Sequence, residues 1–141
     1  MSQKLSIISA DNAGLNENQM KELLDIATYA SQKGGEVLMN FYGEIDMIKS
    51  KSTKGDLVTN ADLEAEKIVI EILKKETPTI AILAEESGGK LQKEKLTWCI
   101  DPLDGTTNFA HGYPLFATSI GLVWNGNPIL GSINIPYLKE T

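Results

Sequence analysis

The apolar stretch Thr97-Trp98-Cys99-Ile100 runs straight into Asp101-Pro102-Leu103-Asp104-Gly105-Thr106-Thr107-Asn108-Phe109, and this junction constrains the chain more than any other segment. Pro102 fixes its own φ and biases Asp101 towards an extended conformation, so the chain leaves the strand stiffly and turns at Gly105. Asp101 and Asp104 can then face one point. Two carboxylates about 4 Å apart repel by roughly 4 kcal/mol at an effective dielectric of about 20, so their convergence requires a proton or a cation between them. Oxygen ligands with no neighbouring His or Cys favour Mg²⁺, Mn²⁺ or Ca²⁺ over zinc. Gly105 lets the backbone approach a ligand closely, and Thr106 and Thr107 offer hydroxyl and N–H donors suited to phosphate oxygens, particularly if a helix begins there. The competing reading of Asp-Pro-x-Asp-Gly is an ordinary turn followed by a helix cap.

Two further segments bear on that choice. Residues 80–83 read as a short buried strand that ends in Ala84-Glu85-Glu86-Ser87-Gly88-Gly89, which puts a pair of glutamates at the carboxyl end of a strand, where open α/β sheets bind ligands. Upstream, Asp56-Leu57-Val58-Thr59-Asn60-Ala61-Asp62 leads into an amphipathic helix with Ala61, Ala65, Ile68, Val69, Ile72 and Leu73 at helical spacing. That reading places Asp62 in the first turn, with Thr59 as the N-cap of a capping box. A preceding helix over residues 16–41 is expected to bury Met20, Leu23, Leu24, Ala27, Leu38 and Phe41, with Gly34-Gly35 permitting a neighbour to approach. Residues 43–54 are polar and lysine-rich, either a connection able to close over a phosphate or a solvated loop. After the Asp101 segment, residues 117–124 and 128–135 form the strands of a hairpin joined by Asn125-Gly126-Asn127. The predicted order is α-α-β-β-β-β.

Taken together, Asp56-Leu57-Val58-Thr59 with Asp62, then Ala84-Glu85-Glu86-Ser87, then the run from Asp101 to Phe109 with His111-Gly112-Tyr113-Pro114 after it, resemble the inositol monophosphatase family in order and spacing. The resemblance extends from Met20 to the end of the chain. It implies an α+β fold in which residues 1–141 form a single domain, the N-terminal part of that family's layered α/β sandwich, with two helices followed by a mostly antiparallel sheet. It also implies roles for individual residues. Glu85 would bind metal and orient the attacking water, while Glu86 would be structural. Asp101 would bridge two ions, Asp104 would be a further ligand bordering the phosphate, and Leu103 would offer its carbonyl oxygen. Gly105 and Thr106 would meet the phosphate through backbone N–H groups, with the Thr106 hydroxyl on a metal water, and Asp62 would support the metal waters from behind. Among the lysines ahead of Asp56, Lys51 is preferred over Lys49 and Lys54 as the one that approaches the metals.

The activity implied by the resemblance is Mg²⁺-dependent, lithium-sensitive hydrolysis of inositol monophosphate by metal-activated water, without a covalent intermediate on the protein, in a chain that is homodimeric at full length. One ion would acidify a water positioned by Glu85 and Thr106, and a second, held through Asp101 and Asp104, would stabilise the departing alkoxide. Two alternatives stay open. The same chemistry could act on 3′-phosphoadenosine 5′-phosphate, fructose bisphosphate or histidinol phosphate, or the chain could bind metal without turnover. The second arises because family members continue for about as long again and supply another metal-binding aspartate in a tryptophan-aspartate-x-alanine-alanine-glycine motif that is not found in this sequence. A fragment is therefore expected in preference to a truncated reading frame or a fold completed by a separate chain, and a missing half would leave an unpaired edge and apolar side chains exposed on the last strands.

Composition narrows the remaining classes. With 141 residues, 42% of them hydrophobic, and no Pro/Gly/Ser-rich linker, the chain can fill one core. A net charge of −6 argues against a nucleic-acid or membrane surface, since both require a basic patch. The single Cys99 excludes an intrachain disulfide and reads as a buried, inert thiol. No signal-peptide pattern or transmembrane run is legible, so the expected location is cytoplasmic. Gly88-Gly89-Lys90 lacks the flanking residues of a P-loop, lone His111 cannot build a histidine zinc site and reads as a packing or capping residue, and no Ser-His-Asp arrangement is visible. Glycoside hydrolysis by paired carboxylates would leave the Gly-Thr-Thr segment without a purpose.

Overall fold

The computed structural model describes residues 2–45, 51–84 and 91–141, with side chains from residue 7 onward in the first helix and from residue 55 onward in the third. Three helices come first: α1 (Ser2–Asn12), α2 (Glu17–Ile45) and α3 (Lys51–Glu76). The strands follow as β1 (Ala81–Ala84) and β2 (Leu96–Asp104), then a short helix α4 (Thr106–Ala110), then β3 (Ala117–Trp124) and β4 (Asn127–Asn134), with a 3-10 turn at Pro136–Leu138.

α2 starts where its sequence offers reciprocal caps. The Asn16 N–H donates to Gln19 Oε1 at 2.9 Å and the Gln19 N–H donates to Asn16 Oδ1 at 2.8 Å, a capping box that satisfies two donors at the helix start. The helix then runs to Ile45, four residues past the predicted end. Along it Leu23, Ala27 and Leu38 are buried as expected, whereas Leu24 is 41% exposed because it falls beside the inward stripe. α3 also departs from its predicted start. It begins at Lys51, so Asp62 lies in its interior, and the Thr59 hydroxyl donates back to the Gly55 carbonyl at 3.0 Å instead of capping a helix start. The reason is packing: Leu57 and Val58 pack beside Ala61 and Ala65, extending the apolar stripe one turn towards the N-terminus. Of the lysine-rich stretch, residues 43–45 and 51–54 are helical, and residues 46–50, including Lys49, lie outside the described residues.

The sheet has the order β1-β2-β3-β4, with β1 parallel to β2 and the other two pairings antiparallel. Its hairpin turn matches its sequence closely. Asn125 and Gly126 both take positive φ, 50° and 76°, the conformation that an Asn-Gly turn supplies between twisted strands. β4 begins at Asn127 and ends at Asn134, each one residue earlier than predicted, with a register shift between Leu122 and Val123.

α2 and α3 cover one face of this sheet. Leu23, Ala27 and Ala30 from α2 and Val69 and Leu73 from α3 meet Trp98, Ile100, Ile120 and Leu122 from the strands in one buried cluster. Gly34 and Gly35 let α2 come close, as predicted: a Cβ at Gly34 would sit 2.8 Å from Thr118 Cγ2, and one at Gly35 would collide with the Asn134 side chain. The Trp98 indole N–H donates to Thr77 Oγ1 at 2.9 Å, and that hydroxyl donates to the Leu73 carbonyl at 2.6 Å, so the end of α3 is tied to the central strand. No helix among the described residues is long and apolar enough to cross a membrane.

Candidate active site

The carboxyl ends of the parallel strands β1 and β2 lie together. β1 stops at Ala84, paired with Ile100, one residue before Asp101. Beyond that pair no described residue of β1 accompanies β2, and here β2 breaks its alternation. Between the pairs Asp101↔Ser119 and Asp104↔Ala117, β2 holds Pro102 and Leu103 while β3 holds only Thr118. This is a bulge, one of the few places a central strand tolerates proline, which has no N–H to give the ladder. Trp98 and Ile100 face the helices, and so by alternation does Pro102, yet Leu103 is also buried, packed with Leu38, Tyr42 and Ala61. The bulge has therefore reset the strand's parity. Asp104 returns to the face that carries Asp101, and the two carboxylates share one side of the sheet. The Thr118 hydroxyl donates to the Pro102 carbonyl at 2.9 Å and holds the bulge from β3.

The Asp-Pro step is thus part of a bulged strand and not a turn, and the predicted strand over residues 97–100 is extended to Asp104. The turn comes at Gly105, whose φ of 86° and ψ of 41° are left-handed and favour glycine. A Cβ there would also meet the Leu115 carbonyl at 3.0 Å, so a side chain would have to push that neighbour aside. α4 follows immediately. It is anchored by Phe109, fully buried against Phe116 and Tyr42, and by the Asn108 amide, which donates to the Leu115 carbonyl at 2.8 Å. His111 caps the far end of α4, with its Nδ1 2.8 Å from the Thr107 carbonyl.

These elements bring several of the predicted residues to one end of the sheet. Asp101 is half-buried, Asp104 and Thr106 are exposed, and Gly105 lies between them. Asp62 is half-buried on α3, next to Ala61, which packs with Leu103 and Phe109. Glu85 and Glu86 lie outside the described residues, as does the side chain of Lys51. Among the described residues no group of three or more His, Cys, Asp or Glu side chains is placed to hold a metal ion.

Three residues at this end were not singled out from sequence. Glu66 is a buried carboxylate four positions beyond Asp62 on α3, and that spacing was its signal. Thr118, which holds the bulge, and Tyr42, whose hydroxyl donates to the Gly112 carbonyl at 2.6 Å, carry no local sequence signal, because each acts across a long sequence separation. Cys99 is half-buried and not fully buried as expected, because it lies on the sheet face opposite α2 and α3. A cavity of about 460 Å³ on that face is lined by Leu83, Cys99, Asp101 and Ser119. Partial burial pushes the Cys99 thiol above its ordinary range, which keeps the metal-free thiol protonated at neutral pH.

Residues 19–141 match the model of the inositol monophosphatase family. An inositol-1-monophosphatase of Synechocystis is 43% identical over 94% of this chain and 46% of its own length. A Thermotoga maritima protein named fructose-1,6-bisphosphatase/inositol-1-monophosphatase is 39% identical over 84% of this chain and 45% of its own. Among solved structures, the inositol monophosphatase of Anabaena (Nostoc) superposes with a TM-score of 0.71 at 43% identity, covering 85% of this chain and 42% of that one. The α+β fold and the bulged aspartate strand are thus found in a chain that belongs to the inositol monophosphatase family. It corresponds to the N-terminal part of the family and spans about half the length of the curated relatives it matches.

Proposed function

We propose that this chain carries the metal- and phosphate-binding elements of a Mg²⁺-dependent phosphomonoesterase that hydrolyses inositol monophosphate. The observation that carries this reading is the bulge at Pro102 and Leu103, which sets Asp101 and Asp104 on one face directly before Gly105. The donors there are hard oxygens, namely two carboxylates and the Leu103 carbonyl, and such a set favours Mg²⁺ over zinc. When bound, such an ion would neutralise charge on the phosphoryl oxygens and make a coordinated water more acidic.

The chain's own residues then have distinct tasks. Asp101, Asp104 and Glu85 would hold the metal, joined by the Leu103 carbonyl. The Gly105 and Thr106 N–H groups would receive phosphate oxygens, with Asp104 at the border of that pocket, and the Thr106 hydroxyl and Glu85 would orient the attacking water. Asp62 would accept hydrogen bonds from water at the metal, and Lys51 would add positive charge near the phosphate. A sugar bisphosphate is the second reading of the substrate, favoured by the 39% identity to the Thermotoga protein with both activities in its name. Phosphate release from inositol 1-phosphate and from fructose 1,6-bisphosphate, with and without Mg²⁺, tests both. Magnesium-dependent release from the first that Asp104→Asn abolishes supports the main reading, release from the bisphosphate alone supports the second, and release independent of Mg²⁺ contradicts both.

A further inference from the structure

We propose that Tyr42 is a positioning residue for the backbone of Gly105 and Thr106, and that its hydroxyl, separately from its ring, fixes this segment for phosphate; the inference rests on the phosphate reading above. Tyr42 stands near the end of α2 and is 9% exposed. Its ring lies 5.9 Å from that of Phe109, 5.0 Å from that of Phe116 and 5.8 Å from that of Tyr137, measured between centroids. Phe109 and Phe116 themselves meet edge to face at 4.8 Å. The ring is thus one member of an aromatic cluster that presses on the middle of α4.

The hydroxyl does something the ring does not. It donates to the Gly112 carbonyl at 2.6 Å, just beyond the far end of α4, where Gly112 reverses the chain with a φ of 73°. A phenylalanine would fill the same space, so the oxygen adds direction more than packing. From Gly105 to Tyr113 the backbone forms one hydrogen-bonded unit: the Phe109 N–H donates to the Gly105 carbonyl at 3.0 Å, the Gly112 N–H to the Phe109 carbonyl at 3.2 Å and the Tyr113 N–H to the Asn108 carbonyl at 2.8 Å. Holding this unit at Phe109 and at Gly112 leaves it no freedom to pivot about the aromatic cluster. Gly105 and Thr106 at its near end are then fixed relative to Asp104, which β2 places independently. Tyr42 therefore couples the rigid layer of α2 to the one short segment whose N–H groups must be aimed.

The test is Tyr42→Phe in the full chain, read by amide hydrogen exchange over residues 105–113, by calorimetric binding of inorganic phosphate in saturating Mg²⁺, and by thermal unfolding. The expected result is exchange at 105–113 faster by between about twofold and tenfold, the range for losing one neutral hydrogen bond, with phosphate affinity lower by a similar factor. Exchange in α3 and in the strands should stay unchanged, and the thermal midpoint should fall by only a few degrees. Unchanged exchange at 105–113 overturns the proposal. So does faster exchange with unaltered phosphate affinity, or a uniform acceleration across the protein, which is the signature of a structural role only. Failure of the wild-type chain to bind phosphate contradicts the phosphatase reading itself, and is distinguishable because the exchange measurement is independent of it.

Discussion

The two halves of β2 make the instructive contrast. From Thr97 to Ile100 the strand is paired on both sides, parallel to β1 and antiparallel to β3, with Trp98 and Ile100 in the core beneath the helices. From Asp101 to Asp104 it lies beyond the described residues of β1 and bulges against β3. Regular pairing forces neighbours to alternate between core and opposite face, which separates like side chains by two residues. The bulge relaxes that rule, burying two adjacent residues and returning the second aspartate to the face of the first. The regular half packs into the core, whereas the bulged half both packs, through Pro102 and Leu103, and carries the candidate chemistry.

Substitutions at the two ends should therefore behave differently, and the largest effect belongs to the regular half. Trp98→Ala empties a fully buried site and strands the Thr77 hydroxyl bond, so urea unfolding should show a loss of about 3–5 kcal/mol. A loss below 1 kcal/mol, roughly the level of a surface change, would break the contrast. Gly34→Ala comes next. Its Cβ would press on Thr118, and overpacking of that kind costs about 1–3 kcal/mol. Gly43→Ala, on the same helix with nothing within 4 Å, should instead stabilise by about 0.5–1 kcal/mol, and equal effects at the two glycines would argue against close docking of α2 on the sheet. At the irregular end, Asp104→Asn is an exposed exchange that should leave unfolding free energy within about 0.5 kcal/mol of wild type. The smallest effect is expected for Thr59→Ala. An exposed hydroxyl bonded back to its own helix contributes little, so stability should shift by less than about 0.5 kcal/mol in either direction. A loss near 1 kcal/mol would restore Thr59 to a capping role.

What could be read from sequence divides along the same line. The hairpin was legible because Asn125-Gly126 encodes its turn locally, and the inward stripes of α2 and α3 were legible because packing imposes a period. The start of α3 was misplaced because Thr59 and Asp62 imitate a capping box, while Leu57 and Val58, which continue the stripe, pack against a cluster that includes Leu103 and Phe109 far along the chain. α1 was not anticipated, since the buried residues among its described side chains, Ser9 and Ala10, are adjacent and form no periodic signal. Among candidate site residues, Asp101, Asp104 and Gly105 could be named from their order. That the two aspartates share a face depends on Thr118 and the register of β3, which no local pattern records. Tyr42 is hidden for the same reason, being 70 residues from its acceptor.

The most direct test of the shared carboxylate face is a calorimetric titration of Mg²⁺ into the wild-type chain and into Asp104→Asn, with unfolding curves taken on both. The expected result is saturable binding by the wild type that the variant loses at unchanged stability. Equal binding by the two proteins would contradict a metal site built on Asp101 and Asp104.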